Sequence, residues 1–326
     1  MKRAKGWAVA SAAVLVVAGG TYVSANTNLL GSEELCHGLL TDSTVQEVIP
    51  GPGRLSSEDL GATSCRVTQS SLGIGAGDTE VELDVQSEDA GFPFERGLWQ
   101  MTGRKAVFTE GATGVASARG GWVLLPEGCE VSGPLVGDDP EQIVLKAVFF
   151  EGEADPAGVA RLLGEAAHGL AVRNDCDADA VRAPEQVAEP DPVRNTAPGK
   201  LCSLPGLEVS RLESDRGRPV EQTSGALERD WFCDLYFTDD THGPYTQFAV
   251  VRDERLTAGA RAADGPSWTA QALCDGTRTH FLMDSNDYPW NPEERSAAGL
   301  PDEQELFQRF VEAAAKAAGC PVPDAV

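Results

Sequence analysis

The sequence predicts an α+β protein of two tandem small domains, each an antiparallel sheet with a short opening helix and a closing amphipathic helix, stapled by disulfides. Three observations predict this. Eight cysteines stand at Cys36, Cys65, Cys129, Cys176, Cys202, Cys233, Cys274 and Cys320, an even set with none ahead of position 36. Their spacing repeats: from Cys36 the steps are 29, 64 and 47 residues, and from Cys202 they are 31, 41 and 46. Each series then closes on a segment of helical period that runs directly into its last cysteine. Two four-cysteine units explain the pattern, with an insertion or an extra hairpin in the first copy between its second and third cysteines.

The amino terminus reads MKRAKGWAVASAAVLVVAGGTYVSAN, with Lys2, Arg3 and Lys5 ahead of a charge-free run. That is the composition of an export leader over residues 1–25. Val23-Ser24-Ala25 suits cleavage of a signal peptide, and the basic flank equally suits an uncleaved single-pass anchor with its amino end in the cytoplasm. Export to an oxidising compartment makes the even cysteine set a disulfide framework. A lipid-attachment site does not fit, because Glu33-Glu34-Leu35 precedes Cys36.

The first domain is expected over residues 32–177. Thr41 caps a short helix with Val45, Val48 and Ile49 inward, and Pro50-Gly51 end it. Cys65 lies in strand-like sequence, and TEVELDVQ alternates Val81, Leu83 and Val85. Trp122 precedes Cys129 in a short apolar run. The closing helix has Asp155 as N-cap, Pro156 at its first position and Val159, Leu162, Leu163, Ala166 and Leu170 on one face.

Residues 178–199, with Pro184, Pro190, Pro192 and Pro198 among acidic and small residues, read as a semi-extended linker. The second domain is expected over 200–322. Pro205 and Gly206 break the opening helix there, Cys233 sits in the strand-like WFCDLYF, and Trp268 precedes Cys274 as Trp122 precedes Cys129. Its closing helix carries Leu306, Phe307, Phe310, Ala314 and Ala317 on one face, with Gly319 as the stop before Cys320.

Four cysteines per unit allow three pairings each. The first two flank an opening segment that must lie against its strand, and the third and fourth end a strand and the helix packed on the sheet. The expected bridges are therefore Cys36–Cys65, Cys129–Cys176, Cys202–Cys233 and Cys274–Cys320.

The run Leu35-Cys36-His37-Gly38-Leu39-Leu40-Thr41, then a short helix, then Cys65 opening a strand, resembles the Cys-framed extracytoplasmic domains of unknown function in actinobacterial lipoproteins. The resemblance covers the first unit and implies an α+β fold without an assigned active site. The missing lipid-attachment cysteine and Arg66 after Cys65 depart from the family pattern.

Composition and motifs bound the function. Against 26 Lys and Arg stand 51 Asp and Glu, a formal net charge of −25, and such a surface repels phosphate backbones, so nucleic acid is not an expected partner. Membrane contact is expected through the leader only. Of the four histidines, His168 turns away from the apolar helix face, His280 lies in a strand, and His37 and His242 lack a sequence-level partner. GIGAGD at 73–78 lies between strands with no helix after it, which suits a hairpin loop rather than a phosphate loop. Asp175, Asp177 and Asp179 alternate as in a calcium loop, but Ala180 stands where that loop needs Gly, and Asp284, Asn286 and Asp287 form a second oxygen-rich turn. Both read as solvated turns. No catalytic residue, metal ligand or cofactor is expected, and the binding residues are unassigned. The reading is a non-enzymatic extracytoplasmic protein that binds an unknown protein or small ligand in the cell envelope. A cell-envelope hydrolase with a dispersed site and a structural envelope component are its alternatives.

Overall fold

A computed structural model of the chain describes residues 27–28, 31–49, 51–71, 79–95, 97–131, 142–184, 186–197, 199–208, 217–238, 244–257, 260, 268–285 and 301–323. The leader, GIGAGD, His242, Asn286 and Asp287 lie outside them. No helix among the described residues is long and apolar enough to cross a membrane. The fold is α+β, mostly sheet, and all eight cysteines are paired as Cys36–Cys65, Cys129–Cys176, Cys202–Cys233 and Cys274–Cys320. Such bridges belong to a chain that matures in an oxidising, extracytoplasmic environment.

The chain divides into two compact units, and each holds four of the cysteines. One comprises Met1–Gln86, Ala118–Asp138 and Ile143–Ala183; the other comprises Ser87–Ser117, Asp139–Gln142 and Pro184–Val326. The units are thus not continuous in sequence, in contrast to the expected boundaries at 32–177 and 200–322. Ser87–Ser117, which chain order assigns to the first domain, belongs with the second unit.

In the first unit, β1 (Glu34–Leu35) and β2 (Leu40–Thr41) pair around a 3-10 turn at Cys36–Gly38, and α1 (Asp42–Val48) follows. Thr41 caps α1 as expected, its side chain accepting from the Thr44 N–H, and Val45, Val48 and Ile49 are buried. The sheet contains β3 (Arg54–Asp59), β4 (Ser64–Ser70), β5 (Thr79–Glu88), β8 (Gly120–Leu124) and β9 (Gln142–Glu151). They neighbour one another in the order β3-β4-β5-β9-β8. Cys65, Val67, Val81, Leu83 and Val85 share the buried face of β4 and β5. The closing helix α2 (Pro156–Arg173) is capped by Asp155 and buries the five apolar residues of its predicted face.

The second unit, among its described residues, opens without a helix like α1. A 3-10 turn at Leu201–Ser203 leads to β12 (Pro219–Gly225), β13 (Trp231–Phe237), β14 (Thr246–Val251), β15 (Trp268–Cys274) and β16 (Thr277–Ser285). Their order is β12-β13-β14-β16-β15, the same connectivity as in the first unit. The single turn α3 (Glu254–Thr257) follows β14, and α4 (Glu303–Ala317) closes the unit on its inner sheet face. Phe310 stands at the centre of this core, with ring centroids 4.7 Å from Phe248, 6.3 Å from Phe307, and 6.4 Å from Trp231 and Phe281. Ala317, placed by periodicity on the buried face, is exposed, because the helix ends there and Val311, Ala313 and Ala315 fill the remaining contacts.

Two local devices recur. Cys36 and His37 have φ of 54° and 58°, and Cys202 and Ser203 have 54° and 59°. At the other end, the residue before the last cysteine is left-handed in both units, Asp175 at 54° and Gly319 at 69°. The Cys176 N–H then donates to Ala171 O at 2.9 Å, and the Cys320 N–H to Ala315 O at 2.8 Å, the six-to-one bond of a Schellman cap.

The tryptophans, by contrast, are not equivalent. Trp122 lies opposite Lys146, whose Nζ reaches Gln86 Oε1 on the face away from Val81 and Leu83. Trp268 lies opposite Met283 on the inner face and packs on Phe307 at 5.9 Å. Cys129 also lies beyond its strand, in a turn that starts at Pro126, whereas Cys274 is the last residue of β15.

After a 3-10 turn at Ala178–Val181, the described part of the Pro-rich stretch 178–199 carries two short strands and is not a free spacer. Val181 is buried, β10 (Val187–Ala188) pairs with Phe108 and Val107, and β11 (Arg194–Asn195) pairs with Glu221 and Val220. Short edge pairings of this kind tolerate flanking prolines, which lack the N–H a central strand needs.

Replacing Phe310 by Ala is expected to lower unfolding free energy by about 3–5 kcal/mol in denaturant melts. The paired substitution Cys202→Ser/Cys233→Ser releases a 31-residue loop and is expected to cost about 3–4 kcal/mol in the same assay.

Candidate functional site: a charged cleft at one end of the second sheet

The outer face of the second unit's sheet carries a buried polar cluster around Asp234, which is fully buried. Asp234 Oδ1 accepts the Gly103 N–H at 3.0 Å and Gln247 Nε2 at 3.0 Å, and Arg104 Nε stands 3.4 Å from Oδ2. Gln100 Nε2 donates to Phe94 O and Gln247 Oε1, and the Arg104 guanidinium lies 5.6 Å over the Tyr236 ring. A Cβ on Gly103 would lie 2.2 Å from Gln222 O, so glycine is required for this close approach. These contacts fasten Ser87–Ser117 to β13 and β14. Burial raises the Asp234 carboxyl above its ordinary value despite its hydrogen bonds and nearby cations, and burial lowers the Lys105 amine to about 8. The Lys105 Nζ is spent on the carbonyls of Leu98 and Gln100. The gap beside Asp234 holds only ≈ 20 Å³, room for about one water. This cluster is an anchor rather than a ligand site.

A larger space opens at one end of the same sheet. There the β6–β7 hairpin, from β6 (Ala106–Phe108) and β7 (Gly114–Ser117), presents its turn, β13 begins, β14 ends and β16 begins. The pairing of Trp231 with Val250 and of Val251 with His280 brings Asp230, Arg252 and Thr277 to this end. Together with Glu110, Glu228, Arg229, Asp253 and Arg255 they line a cleft of ≈ 330 Å³. That is within the range of small-molecule sites, about 300–1,000 Å³, though far more polar than most.

The charges in it are not equivalent. Asp253 and Arg255 form a closed pair, with Oδ2 to Nη2 at 2.9 Å, and Thr113 Oγ1 also donates to Asp253. Burial opposes the Asp253 charge, but the hydrogen bonds of Arg255 and Thr113 outweigh it and hold the carboxyl below its usual value. Asp230 Oδ1 accepts the N–H groups of Arg252 at 2.8 Å and Asp253 at 3.2 Å, yet burial raises its carboxyl overall. Arg252 Nη2 donates to Ala318 O at 3.3 Å, beside Cys320 Sγ at 3.7 Å, so the end of the closing helix holds the guanidinium in place. Arg252 Nε is buried without an acceptor.

The positions weighed from sequence lie elsewhere. His37 Nε2 meets Asp59 at 3.0 Å on the surface, exposed His168 faces Ala178 O, and His280 is buried in β16. Asp175 takes a left-handed helix-end position, Asp177 caps a 3-10 turn by accepting from Asp179, and Asp179 pairs with Arg182. Among the described residues, no group of three or more His, Cys, Asp or Glu is placed to hold a metal ion. The cleft residues escaped sequence reasoning. Their one signal is the recurrence of Arg-Asp in Glu228-Arg229-Asp230 and Arg252-Asp253-Glu254-Arg255, each at a strand boundary.

Because the folded Asp234 carboxyl binds its proton more tightly than the unfolded one, its contribution to stability is present below the ordinary carboxylate pKa and lost as pH rises through the raised value. Asp234→Asn keeps the Oδ1 acceptor and removes the titration. Denaturant melts from pH 4 to 8 are expected to show the wild-type chain losing stability relative to this variant as pH rises.

No family model matches the chain, and no curated protein matches it. Among solved structures it is aligned with DynU16, a protein of the dynemicin biosynthetic locus, at 12% identity over 84% of this chain and 86% of that one. The TM-score is 0.12, a likeness that carries no argument about fold or function.

Proposed function

We propose that this chain is a non-enzymatic extracytoplasmic binding protein built from two copies of one four-cysteine domain, and that its ligand site is the charged cleft of the second copy. The shared strand order, the identical cysteine pairing and the matching left-handed positions at both ends of each unit support the duplication. Residues 1–25 export the chain and either leave by cleavage near Ala25 or remain as a membrane anchor. In the first copy the segment between the second and third cysteines is the longer one, and its hairpin provides one wall of the cleft.

The observation that carries the binding reading is the ≈ 330 Å³ cleft itself, where seven charged side chains meet at the end of a rigid, disulfide-stapled sheet. Sites on rigid elements hold polar groups ready for a ligand without a large ordering cost. The partner is a small polar molecule of the cell envelope.

A ligand that binds only the folded chain raises its melting temperature by mass action. Screening small polar metabolites by thermal shift is expected to yield ligands that stabilise the protein. Thr277→Trp, at an exposed position on the cleft wall, is expected to abolish those shifts while leaving the ligand-free melting temperature unchanged. Shifts that persist in this variant would place the site elsewhere.

A further inference from the structure

Resting on that reading of the cleft, we propose that its ligand is a small zwitterion, a molecule carrying a carboxylate and an ammonium group as free amino acids and short peptides do. The argument starts from which charges are already used. Asp253 and Arg255 neutralise each other, so they shape the wall and leave no net charge for a ligand. Arg229 is exposed, and Arg252 is held from behind by Ala318 O. The Arg252 Nε–H is a buried donor without an acceptor, and leaving such a group unpaired costs about 1–3 kcal/mol or more for a charged one. That buried donor is closed to a ligand, but Arg229 and Arg252 both line the cleft, and a guanidinium presents the paired N–H groups that a carboxylate fits.

Three carboxylates keep the cleft from being a simple anion site. Glu110, Glu228 and Asp230 line it with the two arginines, so a doubly charged anion would meet more negative than positive charge. An ammonium group on the same ligand turns that repulsion into attraction. Asp230 is the best placed of the three. Its Oδ1 is fixed by two backbone N–H groups, and burial makes its charge costly until a cation arrives. One molecule with both groups therefore meets the arginines and the carboxylates of the cleft together. The volume limits it to amino-acid or short-peptide size.

Isothermal titration of the intact protein with alanine, tri-alanine, N-acetyl-tri-alanine, tri-alanine amide and sodium phosphate tests this. Alanine, tri-alanine or both should bind, and blocking either end should weaken binding by about tenfold or more, the loss of one charge-assisted hydrogen-bonded contact. Which of the two parent ligands binds separates an amino-acid site from a peptide site. Arg252→Gln is expected to erase the difference between acid and amide, and Asp230→Asn, which keeps the backbone acceptor, the difference between free and acetylated amine. Arg229→Ala, at an exposed position, gives a weakened variant that remains folded if Arg252→Gln does not. Phosphate or a blocked peptide binding as well as the zwitterions, with that binding lost in Thr277→Trp, would overturn the ligand class and leave the cleft as the site. Binding that Thr277→Trp leaves intact, or no binding of any probe together with no hit in the thermal-shift screen, would overturn both.

Discussion

The bridge between the opening turn and the second strand is the constraint on which each unit is built. Two consecutive non-glycine residues stand in the left-handed region at each turn, Cys36-His37 and Cys202-Ser203, a conformation disfavoured by roughly 1–2 kcal/mol per residue. Local turn bonds span both segments, Leu39 N–H to Cys36 O and Leu204 N–H to Leu201 O. The first cysteine of each pair is also tied to a strand of the sheet, at Cys65 in β4 and Cys233 in β13. In the second unit a buried carboxylate helps: Glu221 Oε2 accepts the Cys202 N–H at 2.7 Å while Arg194 Nε binds its other oxygen at 2.8 Å. The turn then sets where the chain enters the sheet, and the second bridge fixes the closing helix against it.

A sheet so fixed has two faces, and the second unit covers both. Its inner face packs the aromatic residues of β13, β14 and β16 on α4. Its outer face is covered by Ser87–Ser117, an insertion in the middle of the first cysteine series. A carboxyl buried as deeply as Asp234 is tolerated only with hydrogen-bonding partners, and these come from the insertion through Gly103 and from the sheet through Gln247. The same attachment carries the β6–β7 turn to the sheet end. There Glu110 and Ala112 complete a cleft whose remaining walls are strand ends. The anchor and the site are therefore one construction, with Asp234 holding the segment that encloses the cleft.

What was legible in the sequence follows from the range of the interactions involved. Caps at Thr41 and Asp155, the alternation at Val81, Leu83 and Val85, and the helical stripe at Leu306, Phe307 and Phe310 are local, and they stand where periodicity puts them. The cysteine pairing was also legible, since two similar series constrain each other. The 64-residue step against 41 showed that something is inserted, but not where it goes, because its destination depends on Asp234, some 130 residues away in the chain. The cleft was illegible for a related reason: Glu110, Arg229 and Arg252 come from three separate turns, and only the strand register brings them together.

The chain's acidity does not decide what the cleft accepts. A net charge of −25 sets long-range repulsion, but at physiological ionic strength it is screened over about 8 Å, comparable with the dimensions of the cleft. Within that distance the field is set by the groups on the walls. Arg252 is held by the end of the closing helix, its Nη2 on Ala318 O beside the Cys274–Cys320 bridge. Asp230 is likewise pinned by the backbone of the residues that follow β14. Opposite charges free to move would collapse onto each other and leave nothing for a ligand. Charges held apart by the frame remain available, and in this protein the frame that separates them is the same disulfide-stapled sheet that gives the unit its stability.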